Sequence, residues 1–209
     1  MQTQASKCSD AASESARVLL RAVKSLSYHR PCAKRNAQLK TIEAMLWDGA
    51  NPASFVAGCD FNTNAIIAAA SGGDEECLEL LLSAPCANPD AIDSRGQTAL
   101  MMAIYGASLR CVSILAKTSD VNIQNADGDN ALMQAVKCGA MAGVKILAPL
   151  TNLNATNADG QNVHHLAKLR STLRPEGQAI LLLLASLAES ETLEQACGNA
   201  HAANKSRRL

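Results

Sequence analysis

Two stretches of the sequence, NADGDNAL at residues 125–132 and NADGQNVH at residues 157–164, begin identically and lie 32 residues apart. Their glycines have a counterpart at Gly96, another 32 residues earlier. Two positions after each glycine comes a residue that can cap a helix, and five positions further on comes an alanine. The caps are Thr98, Asn130 and Asn162, and the alanines are Ala103, Ala135 and Ala167. One register explains every match, so the chain contains an internal repeat.

Each repeat has the same predicted internal order. A polar turn that holds glycine comes first, and the capping side chain then accepts a hydrogen bond from an N–H of the first helical turn. A short helix such as Ala99–Tyr105 follows, and a second helix carries apolar residues at helical spacing, for example Leu109, Val112 and Leu115. Because neither helix can bury its apolar side alone, such pairs are stable only when neighbours stack.

The register extends in both directions. Asn62 takes the glycine position 34 residues before Gly96, since asparagine tolerates a left-handed backbone better than most residues. The stretch MLWDGANP at residues 45–52 is the end of one more unit, which follows a helix around residues 16–26. At the other end, Pro175 and Glu176 mark the start of an apolar helix over residues 179–188.

The stretch DSRGQTALMMAIYGASLRCVSIL at residues 93–115 resembles the ankyrin repeat. The family's proline at the first helical position is absent, because alanine or valine stands there in all four copies. The resemblance implies an all-α, ankyrin-repeat solenoid of about five helix-turn-helix units with atypical capping units at both ends. We predict a disordered N-terminal tail at 1–11, the repeat domain at 12–190, and a C-terminal capping helix with a basic tail at 191–209.

Composition limits the possible partners and compartments. Nineteen basic residues balance nineteen acidic residues, which argues against nucleic acid or anionic lipid as the main partner. The longest apolar run, residues 179–188, is too short for a membrane span, which needs about 20 residues. Eight cysteines without zinc-type spacing and without a secretory signal indicate free thiols in a reducing compartment. We therefore expect a cytoplasmic protein, with the nucleus as an alternative.

The sequence carries little catalytic pattern. It lacks the common phosphate-binding loops and the Gly-x-Ser-x-Gly motif. His164 and His165 are adjacent, and neighbouring helical residues point about 100° apart, so they do not chelate a metal together. Asp127, Asp129 and Asp159 lack the alternating ligand pattern of a calcium loop and are expected to form a solvated acidic edge. We predict no catalytic residue, no metal site and no cofactor.

The resemblance to ankyrin repeats also implies a binding surface. In that family the turns, here called fingers, and the exposed side of the first helices line a concave groove that recognises protein partners. The corresponding residues are Phe61, Arg95, Gln97, Tyr105, Asp127, Asp129, Lys137, Asp159 and Gln161. Aromatic residues and arginine are favoured at binding hot spots, which makes Phe61, Arg95 and Tyr105 the predicted anchors. Alternatively, Phe61 packs under its own finger and Tyr105 only covers its helix pair.

These features predict a non-enzymatic, monomeric protein-interaction module, such as an adaptor, scaffold or inhibitor, with an unidentified protein partner. One alternative is a structural or membrane-peripheral protein that docks through the apolar helix at 179–188. A more distant alternative is a redox-active protein that uses Cys138 or the histidine pair. Trp47 lies near the end of a second helix, at a position that is usually exposed in the ankyrin family. We expect it to cover the N-terminal cap rather than to anchor a partner.

Overall fold

The computed structural model describes residues 2–26, 33–56 and 63–187 of the 209-residue chain. Within these ranges the only β contacts are two isolated bridges, Ile92 with Thr98 and Thr156 with Asn162. The remaining regular structure is helical. The helices are α1 (Gln2–Leu26), α2 (Ala33–Trp47), α3 (Ala65–Gly72), α4 (Glu75–Leu82), α5 (Ala99–Tyr105), α6 (Leu109–Thr118), α7 (Ala131–Cys138), α8 (Met141–Leu147), a 3-10 turn (Ala148–Leu150), α9 (Val163–Leu173) and α10 (residues 175–187).

The helices stack in two layers. The first helices of successive units contact one another in the order α1, α3, α5, α7 and α9. The second helices form a parallel series through α2, α4, α6 and α8. Each helix therefore packs against its own partner and against its equivalents in neighbouring units, which is the nearest-neighbour arrangement of a solenoid. The predicted all-α stack of about five helix pairs is confirmed in the described residues.

The repeated positions explain why the helices form where they do. Asn64, Thr98, Asn130 and Asn162 each accept a hydrogen bond from the backbone N–H three residues on, at 2.8–3.3 Å. The alanine five positions after each cap is fully buried, since the first helices of adjacent units pack closely there. The predicted helix Ala99–Tyr105 has the predicted bounds. Asn62, predicted at a finger, lies outside the described residues.

Three features of the structure differ from expectation. Residues 2–11, for which a disordered tail was predicted, continue α1, in keeping with the helix-forming Ala, Gln and Lys residues of that stretch. Leu109 is exposed, because it occupies the first turn of α6, ahead of the buried positions Val112 and Leu115. Trp47 does not cover the N-terminal unit, since 84% of its surface is exposed.

The apolar helix α10 packs on the array through one side. Ile180 and Leu184 are fully buried, and Leu181, Leu183 and Leu187 are packed against the same core. Leu182 points outward with 63% of its surface exposed. The C-terminal capping helix and basic tail predicted at 191–209 lie outside the described residues. Among the helices that the structure describes, none is both long and apolar enough to cross a membrane.

Candidate partner-binding groove

Each finger is braced by a polar side chain three positions before its glycine. The Oδ1 atoms of Asp93, Asn125 and Asn157 each accept two backbone N–H groups from their own finger, at 2.8–3.1 Å. The backbone N–H of each bracing residue also donates to the carbonyl four positions on, which closes the turn. The three bracing side chains are buried. These bonds therefore hold each finger rigid, so that the side chains at its tip have fixed positions.

The fingers also contact each other through their backbones. The N–H of Ala126 donates to the carbonyl of Arg95 at 3.0 Å, and the N–H of Ala158 donates to the carbonyl of Asp127 at 3.0 Å. Gly96 and Gly128 lie at these contacts with φ of +72° and +75°. A Cβ on Gly128 would lie 2.5 Å from the nitrogen of Ala158. These glycines thus allow both the left-handed backbone and the close stacking of fingers.

Tyr105 stands in the middle of the groove, at the end of α5, and is 53% exposed. Partial burial raises the pKa of its hydroxyl, and the nearby Cys138 raises it further. A side-chain hydrogen bond with Gln134 of α7 and the charge of Arg95 act in the opposite direction on that pKa. Tyr105 therefore presents an accessible ring at the end of α5, and its hydroxyl is neutral near neutral pH.

Asp129 and Lys137 form an ion pair between the second described finger and the end of α7. The Asp129 carboxylate also accepts a bond from Nδ2 of Asn157, in the next finger, at 3.2 Å. The prediction that Asp129 forms part of a solvated acidic edge is wrong, because only 1% of the residue is exposed. Its carboxylate is buried where it bonds with these neighbouring polar groups. Lys137 remains partly accessible on the groove surface.

The other predicted groove residues differ in accessibility. Arg95 is exposed at the finger tip and lies 3.8 Å from the carboxylate of Asp93. Asp127 and Asp159 are exposed on adjacent fingers, and Gln161 is partly buried. Gln97, however, is buried and is not available to a partner. Phe61 lies outside the described residues.

A cleft of about 290 Å³ lies at the C-terminal end of the groove. Its lining combines the apolar side chains of Leu166 and Leu169 with Lys137, Gln161, Arg170 and Arg174. The Arg170 guanidinium donates to the backbone carbonyls of Lys137 and Cys138, at the C-terminal end of α7. This end of the groove is therefore basic and partly apolar, whereas the finger tips at Asp127 and Asp159 are acidic.

Comparison with known protein families identifies the repeat. A family model described as ankyrin repeats, in three copies, matches residues 31–125. The chain contains ankyrin repeats. The later ankyrin-like units, from α7 to α10, follow the matched segment and keep its register of caps and buried alanines. No curated protein matches the chain.

Sequence reasoning missed two parts of the ankyrin groove. Leu169 occupies the position on α9 that Tyr105 has on α5 and Lys137 has on α7, and half of its surface is exposed. The register could have selected it, since the three residues are spaced by 32. The bracing residues at 93, 125 and 157 were also detectable from their repeated Asp or Asn identity. Their function depends on side-chain direction, which the repeat alone does not give.

The two adjacent histidines lie at the start of α9. His164 is partly buried and His165 is exposed, both in the first turn of α9. Across the described residues, no group of three or more His, Cys, Asp or Glu side chains is placed to hold a metal ion. The backbone N–H of His165 donates to the Asn162 cap at 2.9 Å.

Of the four cysteines whose side chains the structure describes, Cys77 and Cys111 are buried free thiols, and Cys86 and Cys138 are exposed ones. Cys77 and Cys111 are fully buried at equivalent positions of α4 and α6, where they belong to the hydrophobic core. Burial raises the pKa of Cys77 from 9.0 to about 12, and the charge of Asp74 adds to the rise. Burial also raises the pKa of Cys111. Both thiols are therefore protonated and inert near neutral pH.

These environments predict which cysteines react. At neutral pH, iodoacetamide should label Cys86 and Cys138 more than about tenfold faster than Cys77 and Cys111, because only the first two are accessible. Peptide mapping by mass spectrometry resolves each site, and labelling in urea should equalise the rates. Equal labelling of the four thiols in the native state would contradict this assignment.

The pKa of Cys77 also makes the stability of the protein depend on pH. Since this pKa is higher in the folded state than in the unfolded state, the contribution of Cys77 to stability is intact below pH 9 and is lost as the pH rises toward about 12.

Proposed function

We propose that the chain is a non-enzymatic adaptor, scaffold or inhibitor that binds a protein partner through the groove described above. Ankyrin repeats generally mediate protein–protein interactions. The observation that carries the proposal is the half-exposed Tyr105 ring at the end of α5, within reach of the charge of Arg95. A rigid aromatic side chain next to an arginine is the combination most enriched at binding hot spots.

The charges of the groove indicate the chemistry of the partner. Arg95 lies near Tyr105, and Lys137, Arg170 and Arg174 surround the cleft at the C-terminal end. Leu166 and Leu169 supply apolar surface in the same cleft. We infer a partner segment that places an acidic side chain beside an apolar one at this end. The exposed Asp127 and Asp159 would then favour basic groups at the finger tips.

The proposal includes a monomer in a reducing, intracellular compartment, either the cytoplasm or the nucleus. The four cysteines whose side chains the structure describes are free thiols, and two of them are exposed. Exposed free thiols are typical of proteins that work under reducing conditions. A balanced net charge of zero supports a protein partner rather than nucleic acid.

The proposal is tested by capture with a groove variant and a matched control. The groove variant is Arg95→Ala with Tyr105→Ala, and the control is Arg110→Ala with Leu109→Ala on α6. The control also removes one exposed arginine and one exposed large side chain, but from the layer of second helices. We expect the groove variant to recover the main partner about tenfold less, and the control to recover it as the native chain does. Equal recovery by the two variants would remove the groove from the proposal.

A further inference from the structure

A second concave surface lies away from the groove, between the C-terminal ends of α2 and α4. It is a cleft of about 410 Å³. Its apolar lining comes from Leu46 and Trp47 on one side and from Leu80, Ala84 and Pro85 on the other. It shares no residue with the groove, whose side chains come from the fingers and the first helices. We call it the Trp47 cleft.

Trp47 is the most unusual residue of this surface. It is the only tryptophan in the chain, and 84% of its surface is exposed. An indole ring is the side chain with the most to gain from burial, and tryptophan is the residue type most enriched at hot spots. Beside an apolar cleft, such a ring marks a binding surface rather than a scattered exposed residue.

The electrostatic character of the Trp47 cleft is negative. Glu43, one helical turn before Trp47 and so on the same side of α2, is the only charged residue in the cleft lining. Asp48 is exposed immediately after Trp47. Lys40 lies on the same side of α2 but about 10 Å further along the helix, and does not line the cleft.

The ends of the two helices add to this negative potential. The C-terminal end of a helix carries partial negative charge, which a basic residue in the last turn offsets. The next second helices have such a residue, Lys117 in α6 and Lys145 in α8. The helices that form the Trp47 cleft, α2 and α4, have none in their last turns. A cation supplied by a partner would offset the partial negative charge of these two helix ends.

We propose that the Trp47 cleft binds a partner peptide segment in which an arginine or lysine stands beside an apolar residue. The cation lies over the indole face and pairs with Glu43, which combines a cation–π contact with a charge-assisted hydrogen bond. The neighbouring apolar side chain enters between Leu46, Leu80 and Pro85. The chain thus has a second binding surface, independent of the groove.

The first test is selection of random peptides displayed on phage against the immobilised, full-length chain. We expect enriched peptides to pair Arg or Lys with Leu, Ile or Met, and to be lost when the target is Trp47→Ala. Tyr105→Ala should retain them, which separates this cleft from the proposed groove. Enrichment of acidic peptides, no enrichment, or enrichment that ignores Trp47→Ala would each overturn the proposal.

The second test uses the fluorescence of the single tryptophan. Addition of a selected peptide should shift the emission of Trp47 to shorter wavelengths and protect it from acrylamide quenching. Replacing the peptide's arginine with citrulline should weaken binding about two- to fivefold, as should Glu43→Gln, and the two changes together should weaken it no further. Additive losses would place the arginine away from Glu43 and contradict the proposal.

A last control concerns a second copy of the chain as the occupant. Light scattering should find the same mass for the native chain and for Trp47→Ala. A dimer that Trp47→Ala dissolves would show that the cleft serves self-association, and would replace the peptide proposal. Because Trp47 is exposed, the variant should fold and unfold as the native chain does, which urea unfolding checks.

Discussion

Replacement of Gly128 with alanine is expected to lower the free energy of unfolding by about 3 kcal/mol. An alanine at φ +75° costs about 1–2 kcal/mol in the left-handed region. In addition, its Cβ would lie 2.5 Å from the backbone nitrogen of Ala158, so one finger must move away from the next. Such overpacking typically costs about 1–3 kcal/mol, and the moving partner here is backbone rather than a flexible side chain.

The matched control for this variant is Gly160→Ala. Gly160 has nearly the same backbone, with φ of +72°, but nothing lies within 4 Å of its added Cβ. It should therefore cost only the strain of the backbone, about 1 kcal/mol. Urea unfolding followed by circular dichroism measures both values. Equal losses would show that the fingers do not pack as closely as the structure has them.

The second large effect is expected at Asp74, where two interactions depend on one carboxylate. Oδ1 of Asp74 accepts the backbone N–H of Cys77 at 3.1 Å and caps α4. The same atom accepts a bond from Nη2 of Arg35, in α2, at 2.6 Å. Asp74→Ala removes the cap, about 1 kcal/mol, and leaves the largely buried Arg35 with the exposed Glu76 as its ion-pair partner among the described residues. The expected total loss of stability is about 3 kcal/mol.

Two further variants separate these contributions. Asp74→Asn keeps a capping oxygen but removes the negative charge, and should lose about 2 kcal/mol. Ser108→Ala removes the equivalent cap of α6, where the structure has no ion pair, and should lose about 1 kcal/mol. If Asp74→Asn were neutral and Asp74→Ala matched Ser108→Ala, the ion pair with Arg35 would contribute nothing to stability.

The fold was predictable from the sequence to the extent that one backbone geometry recurs at fixed spacing. Gly96, Gly128 and Gly160 mark turns because few other residues adopt their backbone, and Thr98 and Asn130 mark helix starts because their side chains cap. The family register places Trp47 at a usually exposed position, and the prediction that it covers the terminal unit was wrong. Whether a large apolar residue there covers the core depends on the neighbouring helix, which the repeat does not describe.

The sequence predicts where the candidate residues lie along the repeats better than it predicts whether their side chains are exposed. Tyr105 and Arg95 are exposed where the register put them. Asp129 looks the same in sequence as the exposed Asp127, but it is buried because Lys137 and Asn157, at distant positions in the chain, bond its carboxylate. The sequence of a finger therefore predicts which residues lie next to the candidate groove. The direction of each side chain depends on contacts with neighbouring elements, which the sequence of the finger does not show.

The central claim is that a partner covers the groove, and hydroxyl-radical footprinting of the purified complex tests it most directly. Tyr105 and Leu169 in the groove are 53% and 50% exposed, and Leu109 and Leu150 on the second-helix side are a matched pair at 46% and 50%. The account predicts that partner binding slows the oxidation of Tyr105 and Leu169 and leaves Leu109 and Leu150 unchanged. Protection of Leu109 and Leu150, with Tyr105 and Leu169 still fully oxidised, would contradict it.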